Sequence, residues 1–406
     1  MSFMDFFGGN DRPAPVQTGK LSEVLKERGY VYQHTGELEE ITDGQKRTLY
    51  LGIDPTADSM HVGHFMGLLV MRRFLENGHK IILLTGGGTG MIGDPGGKSD
   101  ERNLLDATTA QLNSKAVAKQ IRQVFGSSDF IEENNAKWLT KINLLEFLRD
   151  IGKHFTVNAM IKKDTVKTRL DAESPMSFTE FSYSLLQGYD FLHLNKEYGC
   201  DLQVGGSDQW TNILSGVEFI RRKTSKTVHA FTWPLVINKS TGKKFGKSEG
   251  GAVWLDPNKT SPFQFYQFWY NTSDADVEEY LLKMTLMPKA DIDAVMEEQR
   301  QSPAARAAQK KLALEVTCLV HGSKDADKAK AESEALFAGK APSDMQSVPA
   351  GKLRDVVKDM STSELRRLVD AGAVSYLESG EKITSIDTEV QSTTLKIGKN
   401  RFIKVE

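Results

Sequence analysis

Cysteine is nearly absent, Cys200 and Cys318 being the only two in 406 residues. They form no metal or redox motif and exclude a disulfide-stapled scaffold; so small a number suits a reducing, cytoplasmic setting. A cationic excess is absent too. The 52 Lys and Arg residues are balanced by 54 Asp and Glu, a formal net charge of −2, which excludes a uniformly basic nucleic-acid coat but leaves room for local basic patches. No apolar run approaches the ~18 residues of a membrane span, so no membrane partner is expected. The first twenty residues lack the charged start and apolar core of a secretory signal and are poor in Arg for a transit peptide, so 1–20 is expected to be a loose segment. The rest of the chain has enough apolar content for two to three domain cores.

The most informative stretch is 48–64, TLYLGIDPTADSMHVGH. Thr48–Ile53 is β-branched and apolar enough for a buried strand, Asp54-Pro55 signals a turn, and Thr56, Asp58 and Ser59 are candidate N-caps. A helix should follow from about 62 to 77, stopped by Gly78. The unpaired N–H groups and positive dipole end of such a helix attract phosphate, and Gly63 lets a ligand approach without meeting a Cβ. His61 and His64 lie one turn apart and can donate to the same anion. A cap or half a metal site would use the same pair, although no Cys or third His stands nearby at ligand spacing. A second strand at Lys80–Thr85 closes a right-handed crossover. The expected fold is therefore α/β, a Rossmann-like doubly wound parallel sheet with ligands beyond the carboxyl ends of its strands.

Downstream, GGGTGMIGDPGGKS (86–99) mimics both a dinucleotide fingerprint and a P-loop, but Asp94-Pro95-Gly96-Gly97 prevents the helix that the first requires, and the second is one residue short. What remains is a flexible Gly-rich lining with one carboxylate, Asp94, and two cations, Lys98 and Arg102. Residues 104–170 read as helical. On the helix expected at Phe178–Tyr198, opened by Ser174-Pro175, the residues Tyr183, Gln187 and Asp190 fall on one line with apolar borders. That stripe is either a half-buried pocket wall or the wet side. A strand at 201–205 turns through Gly206-Ser207-Asp208 into a helix at 209–222, where Asp208 could meet a ribose hydroxyl or cap the helix. After a strand at 231–237, NKSTGKKFGKSEGG (238–251) reads as a mobile cationic lid suited to phosphate.

His61-Val62-Gly63-His64 early and Lys244-Phe245-Gly246-Lys247-Ser248 late look like the two signatures of class I aminoacyl-tRNA synthetases. With FTEFSYSLLQGYDF and LQVGGSDQW between them, the chain from about residue 21 onward resembles the bacterial tyrosyl-tRNA synthetases. The resemblance implies ATP as substrate, Mg2+ bound with ATP and not fixed by the protein, and L-tyrosine and tRNA(Tyr) as partners, with no DNA. It further implies a homodimer. It assigns Tyr50 and Asp190 to the phenol hydroxyl, Asp94, Tyr183 and Gln187 to the α-ammonium group, and Gln203 and Gln209 to the amino-acid site. Gly52, Asp54, Gly63, Gly206, Asp208 and Lys247 would contact ATP. Thr56, His61, His64, Lys98, Arg102, Lys244, Lys247 and Ser248 would steady the departing pyrophosphate. Leu51 and Gly67 depart from the small polar residues often found in relatives. A tryptophanyl-tRNA synthetase and a catalytically silent RNA-binding relative are the alternatives.

Beyond the lid the composition turns helical, with Ser261-Pro262 and Ser302-Pro303 as helix starts and Gly322 as a stop. Ser361 and Glu364 form a capping-box pattern, and a strand pair surrounds Gly398. Lys396, Lys399, Arg401 and Lys404 make a basic run, either a solvated hairpin or, by the resemblance, a tRNA contact. The expected organisation is a catalytic domain at 21–255, an α-helical anticodon-arm domain at 256–322, a linker at 323–350 and a small α+β RNA-binding domain at 351–406.

Overall fold

The structure, a computed structural model, describes residues 19–94, 106–239, 242, 245, 247–248, 251–337, 346–358, 360–398 and 401–406. These fall into two compact units, 19–255 with 279–289, and 256–278 with 290–406.

The first unit is built on a six-stranded sheet: β1 (Gln33–His34), β2 (Thr48–Ile53), β3 (Lys80–Thr85), β4 (Ile131–Asn134), β5 (Leu202–Gly206) and β6 (His229–Trp233). The strand order is β1-β6-β5-β2-β3-β4, parallel except for β1. The chain runs outward from β2 through β3 to β4, then returns to the other side of β2 for β5 and β6. The crevice between the carboxyl ends of β2 and β5 is therefore the switch point, where such sheets bind ligands. The central strands read as continuous apolar runs because helices cover both faces: Ile81 to Leu84 of β3 are all buried. Strand β4 was not expected within 104–170. Its sequence, IEEN, carries two carboxylates, and it can be a strand because it lies at the sheet edge with only β3 beside it.

Two other boundaries differ from the sequence reading. The Phe178–Tyr198 helix is opened not at Ser174-Pro175 but by Ser177, which forms a capping box with Glu180. Glu180 is also held by Arg169 at 2.8 Å in a buried ion pair. Residues 279–289 belong with the first unit rather than with the helical region. The reason is Arg28, buried, whose guanidinium donates to the carbonyls of Leu282 and Thr285, each at 2.7 Å, and of Met287. It thereby satisfies carbonyls at the end of the Val277–Met284 helix.

In the second unit the helices Pro262–Tyr270, Ala307–His321 and Ser323–Phe337 pack together. Much of the expected linker at 323–350 is thus a packed helix, with Ala326, Ala329 and Ser333 buried and Gln267 donating to Ser333 Oγ at 2.8 Å. A four-stranded sheet, in spatial order Val374–Tyr376, Thr393–Ile397, Arg401–Val405 and Gln346–Val348, closes the unit over a core that includes Leu365, Val374, Leu395 and Ile403.

Candidate active site

A cavity of about 1180 Å3 opens at the switch point. That exceeds the roughly 300–1,000 Å3 usual for one ligand and gives room for an amino acid and a nucleotide together. One end is lined by the two histidines and the other by carboxylates.

At the histidine end, the Val62–Glu76 helix is capped by His61 itself, not by Thr56, Asp58 or Ser59. The Nδ1 atom of His61 accepts the Gly63 N–H at 3.0 Å, and the Nδ1 atom of His64 accepts the His61 N–H at 3.3 Å. A neutral imidazole with Nδ1 accepting carries its proton on Nε2, so both rings are Nε2–H donors. The ring centroids lie 4.1 Å apart. His64 is open to the cavity yet enclosed by protein; this desolvation, helped by the neighbouring His61, pushes its pKa down to about 4. The pair therefore offers neutral donors rather than two cations. A Cβ at Gly63 would lie 2.7 Å from His61 Cε1, so glycine there is required by the cap as well as by any ligand.

At the other end, Asp190 is buried, and burial raises its pKa to about 7 against the lowering effect of two hydrogen bonds. These come from Asn135 Nδ2 at 2.8 Å and Trp138 Nε1 at 2.7 Å. Asn135 also donates to Thr89 Oγ1 and accepts the Gly88 N–H. Beside Asp190, the buried Tyr50 Oη and Gln203 Oε1 have no hydrogen-bond partner. Two orphaned polar atoms in the wall of one cavity are strong evidence for a polar ligand, because each costs about 1–3 kcal/mol if left unsatisfied.

Between the two ends, Tyr183 Oη donates to Asp54 Oδ2 at 2.9 Å, Thr89 Oγ1 donates to Asp54 Oδ1 at 2.8 Å, and Gln209 Nε2 donates to Asp94 Oδ2 at 2.8 Å. Burial and the nearby Asp54 hold the Tyr183 phenol protonated far above its usual range. The glycines before Thr89 are close-packed rather than a flexible lining: a Cβ at Gly86 would lie 2.0 Å from Asp54 Oδ1.

Gly52, Thr56, Gln187, Gly206 and Asp208 also line the cavity, as do Leu51 and Gly67. Asp208 lies inside the Ser207–Gln209 turn, whose N-cap is Gly206, and the Trp210–Thr224 helix that follows has Gln209 at its N-cap. Phe245 lines the cavity and packs its ring 4.9 Å from Tyr280. Lys247 and Ser248 pair antiparallel with Gly251–Ala252, their side chains outside the described set. Lys98, Arg102, Lys244 and Lys399 lie outside the described residues, as does the side chain of Arg401. Lys396 and Lys404 sit on adjacent strands in the second unit, Lys404 paired with Glu406. Asn135, Trp138, Thr89 and Trp233 were not singled out from the sequence. The Asn134-Asn135 pair at the end of β4 and just after it was the available signal, and it is readable only once β4 is known to be a strand.

A switch-point crevice walled by a His-Val-Gly-His helix start and by Phe245 is the arrangement of a class I aminoacyl-tRNA synthetase. The family model for class I tRNA synthetases (W and Y) matches residues 42–338. A tyrosine–tRNA ligase of Staphylococcus saprophyticus is 47% identical over 378 residues, covering 90% of this chain and 88% of that one. One from Clostridium botulinum is 45% identical, covering 94% and 98%. Among solved structures, a C-terminally truncated mitochondrial tyrosyl-tRNA synthetase of Aspergillus nidulans aligns with a TM-score of 0.70 at 33% identity, covering 78% of this chain and 94% of that one. The chain belongs to this class I family, and within it to the tyrosine–tRNA ligases.

Proposed function

We propose that the cavity performs both half-reactions of the family, with the carboxylate end reading L-tyrosine and the histidine end handling ATP. The observation that carries this reading is the pair of orphaned atoms, Tyr50 Oη and Gln203 Oε1, beside the doubly hydrogen-bonded Asp190. A tyrosine phenol placed there donates to Asp190 and accepts from Tyr50. The α-ammonium group faces Asp94, Tyr183 and Gln187, and Gln209 orients Asp94. The tyrosine carboxylate attacks the α-phosphorus of ATP; the new O–P bond forms as the bond to the pyrophosphate oxygen breaks, and the electron pair leaves on pyrophosphate. A carboxylate needs no general base. The demand is electrostatic, and Nε2–H donors from His61 and His64, with Thr56, Lys98, Arg102, Lys244, Lys247 and Ser248, are suited to meet it. Gly52, Asp54, Gly63, Gly206 and Asp208 bound the nucleotide. The terminal ribose hydroxyl of tRNA(Tyr) then takes the tyrosyl group and releases AMP. Mg2+ enters on the ATP phosphates, and no group of three or more His, Cys, Asp or Glu among the described residues is placed to hold a metal. Lys396, Lys399, Arg401 and Lys404 would meet tRNA phosphates. No described helix is long and apolar enough to cross a membrane; the place of action is the cytoplasm.

The test is ATP–pyrophosphate exchange without tRNA. Exchange with tyrosine and not with phenylalanine or tryptophan is expected; exchange with tryptophan would overturn the substrate, and none with any of the three would favour a silent RNA-binding protein. Tyr50→Phe is expected to raise KM for tyrosine by roughly three- to ten-fold with little change in kcat, the loss of one neutral hydrogen bond.

We also propose a homodimer. Leu144, Leu145 and Leu148 stand 69%, 75% and 48% exposed on the Leu144–Asp150 helix, with Val157 and Phe178 also exposed. Such an apolar cluster suits a second copy of the chain. Sedimentation of the native chain is expected to give a dimer mass, and Leu144→Asp with Leu145→Asp a monomer; a native monomer would contradict the proposal.

A further inference from the structure

Trp233, the last residue of β6, is 7% exposed and lines the same cavity. Its six-membered ring lies flush on Gly67, in the second turn of the helix that His61 opens. A Cβ at Gly67 would fall 2.6 Å from Cζ2, 3.2 Å from Cε2 and 3.3 Å from Cη2. The pyrrole edge reaches the other wall, with Nε1 3.7 Å from where a Gly206 Cβ would stand. The indole thus spans from the histidine helix to the β5 turn, and glycine at 67 is what admits it. No hydrogen bond from its N–H to a protein acceptor is present among the described residues. A Trp so far buried ordinarily finds an acceptor. Here the acceptor has to come from whatever fills the cavity between Gly67 and Gly206.

We propose that Trp233 is a nucleotide-binding residue: its indole forms a wall of the adenosine site and its Nε1–H donates to a ring nitrogen or ribose oxygen of ATP. This rests on the reading of the cavity as the adenylate site. The aromatic ring supplies flat apolar area and the N–H supplies one directional contact, which together favour a purine nucleoside over a bare phosphate. Because ring and Gly67 exclude each other's space, positions 67 and 233 are coupled. A side chain at 67 is admissible only if 233 is small.

Tyrosine-dependent ATP–pyrophosphate exchange tests this in two ways. Trp233→Phe keeps a ring and removes the donor; KM for ATP is expected to rise roughly three- to ten-fold while KM for tyrosine and kcat hold. Gly67→Ser alone is expected to raise KM for ATP, and Gly67→Ser combined with Trp233→Val to remove most of that increase relative to Trp233→Val alone. Unchanged KM for ATP in Trp233→Phe, or strictly additive effects in the double variant, would overturn the proposal. Should Trp233→Phe fold poorly by circular dichroism, the decision passes to the coupling between 67 and 233. A wild-type chain without tyrosine-dependent exchange would instead contradict the adenylate reading itself, so the two failures are distinct.

Discussion

Asp190→Asn is expected to lower kcat/KM for tyrosine by about 100-fold or more and to narrow the preference for tyrosine over phenylalanine. Asp190 accepts from Asn135 and Trp138 at once, one on each carboxylate oxygen, and keeps lone pairs for a phenol. An amide in its place has one acceptor oxygen and turns an N–H2 group toward a donor, so one of the two buried donors is left unsatisfied even before substrate arrives. A charge-assisted hydrogen bond contributes about 1.5–3 kcal/mol, and the orphaned donor adds its own desolvation cost. The pH dependence has a definite sign. Burial raises the Asp190 carboxyl to about 7, above its unfolded value, so below neutrality the substrate-free protein gains a proton there and loses an acceptor. In kcat/KM for tyrosine, which reports the free enzyme, a rise with pH through about 7 to a plateau is expected, and Asp190→Asn should lack it. A profile that is flat from pH 6 to 8 in the wild type would contradict the raised Asp190 pKa.

His61→Ala and His64→Ala are each expected to reduce kcat by about 100- to 1,000-fold while KM for tyrosine changes little. Donors that strengthen as charge builds on a leaving group act on the transition state, and removal of one such donor costs about that much. The two substitutions should not be additive, because each ring also holds the other's helix start: His64 accepts the His61 N–H and His61 accepts the Gly63 N–H. Stability carries a separate signature of His64. Its folded pKa of about 4 lies below the ordinary imidazole value, so between about pH 4 and 6.5 the unfolded chain binds the extra proton. The stability it confers is complete above about 6.5 and is lost as the pH falls toward 4. Urea midpoints at pH 7 and pH 5 should therefore differ more for the wild type than for His64→Asn. An equal difference would show that the imidazole is not held neutral.

Much of the site was legible in the sequence because it is local. The strand at Thr48–Ile53, the turn at Asp54, the His-x-Gly-His start and the i, i+4, i+7 stripe of Tyr183, Gln187 and Asp190 each occupy a few consecutive turns or one element, and periodicity exposes them. The structure places all of these in one cavity. What supports them was not legible. Asn135 and Trp138 reach Asp190 from the start of the short helix after β4 and from that helix, more than fifty positions away along the chain, and the edge strand that delivers them carries two glutamates that mask its character. His61 as its own helix cap was hidden by three better capping residues just upstream, Thr56, Asp58 and Ser59; the cap falls at His61 because the Met60–Val62 backbone is first held alongside Val253 and Leu255. Trp233 was invisible for a related reason: its meaning comes from the glycine at 67, on another element. The boundary at 255 agrees with the division of the chain, but the return of 279–289 to the first unit was not legible, because it rests on Arg28, Tyr30 and Arg73, distant in sequence, donating to carbonyls between 282 and 287.

The central claim is that the Tyr50, Asp190 and Gln203 end of the cavity reads a phenol. Equilibrium binding of L-tyrosine and L-phenylalanine to the chain, without ATP, tests it most directly, since it isolates the amino-acid site from the chemistry. The account predicts measurable saturation by tyrosine, at least about 100-fold weaker binding of phenylalanine because entry of an unsubstituted ring leaves buried polar groups unpaired, and a narrower preference in Asp190→Asn. Equal affinity for the two amino acids, or a preference undiminished in Asp190→Asn, would contradict it.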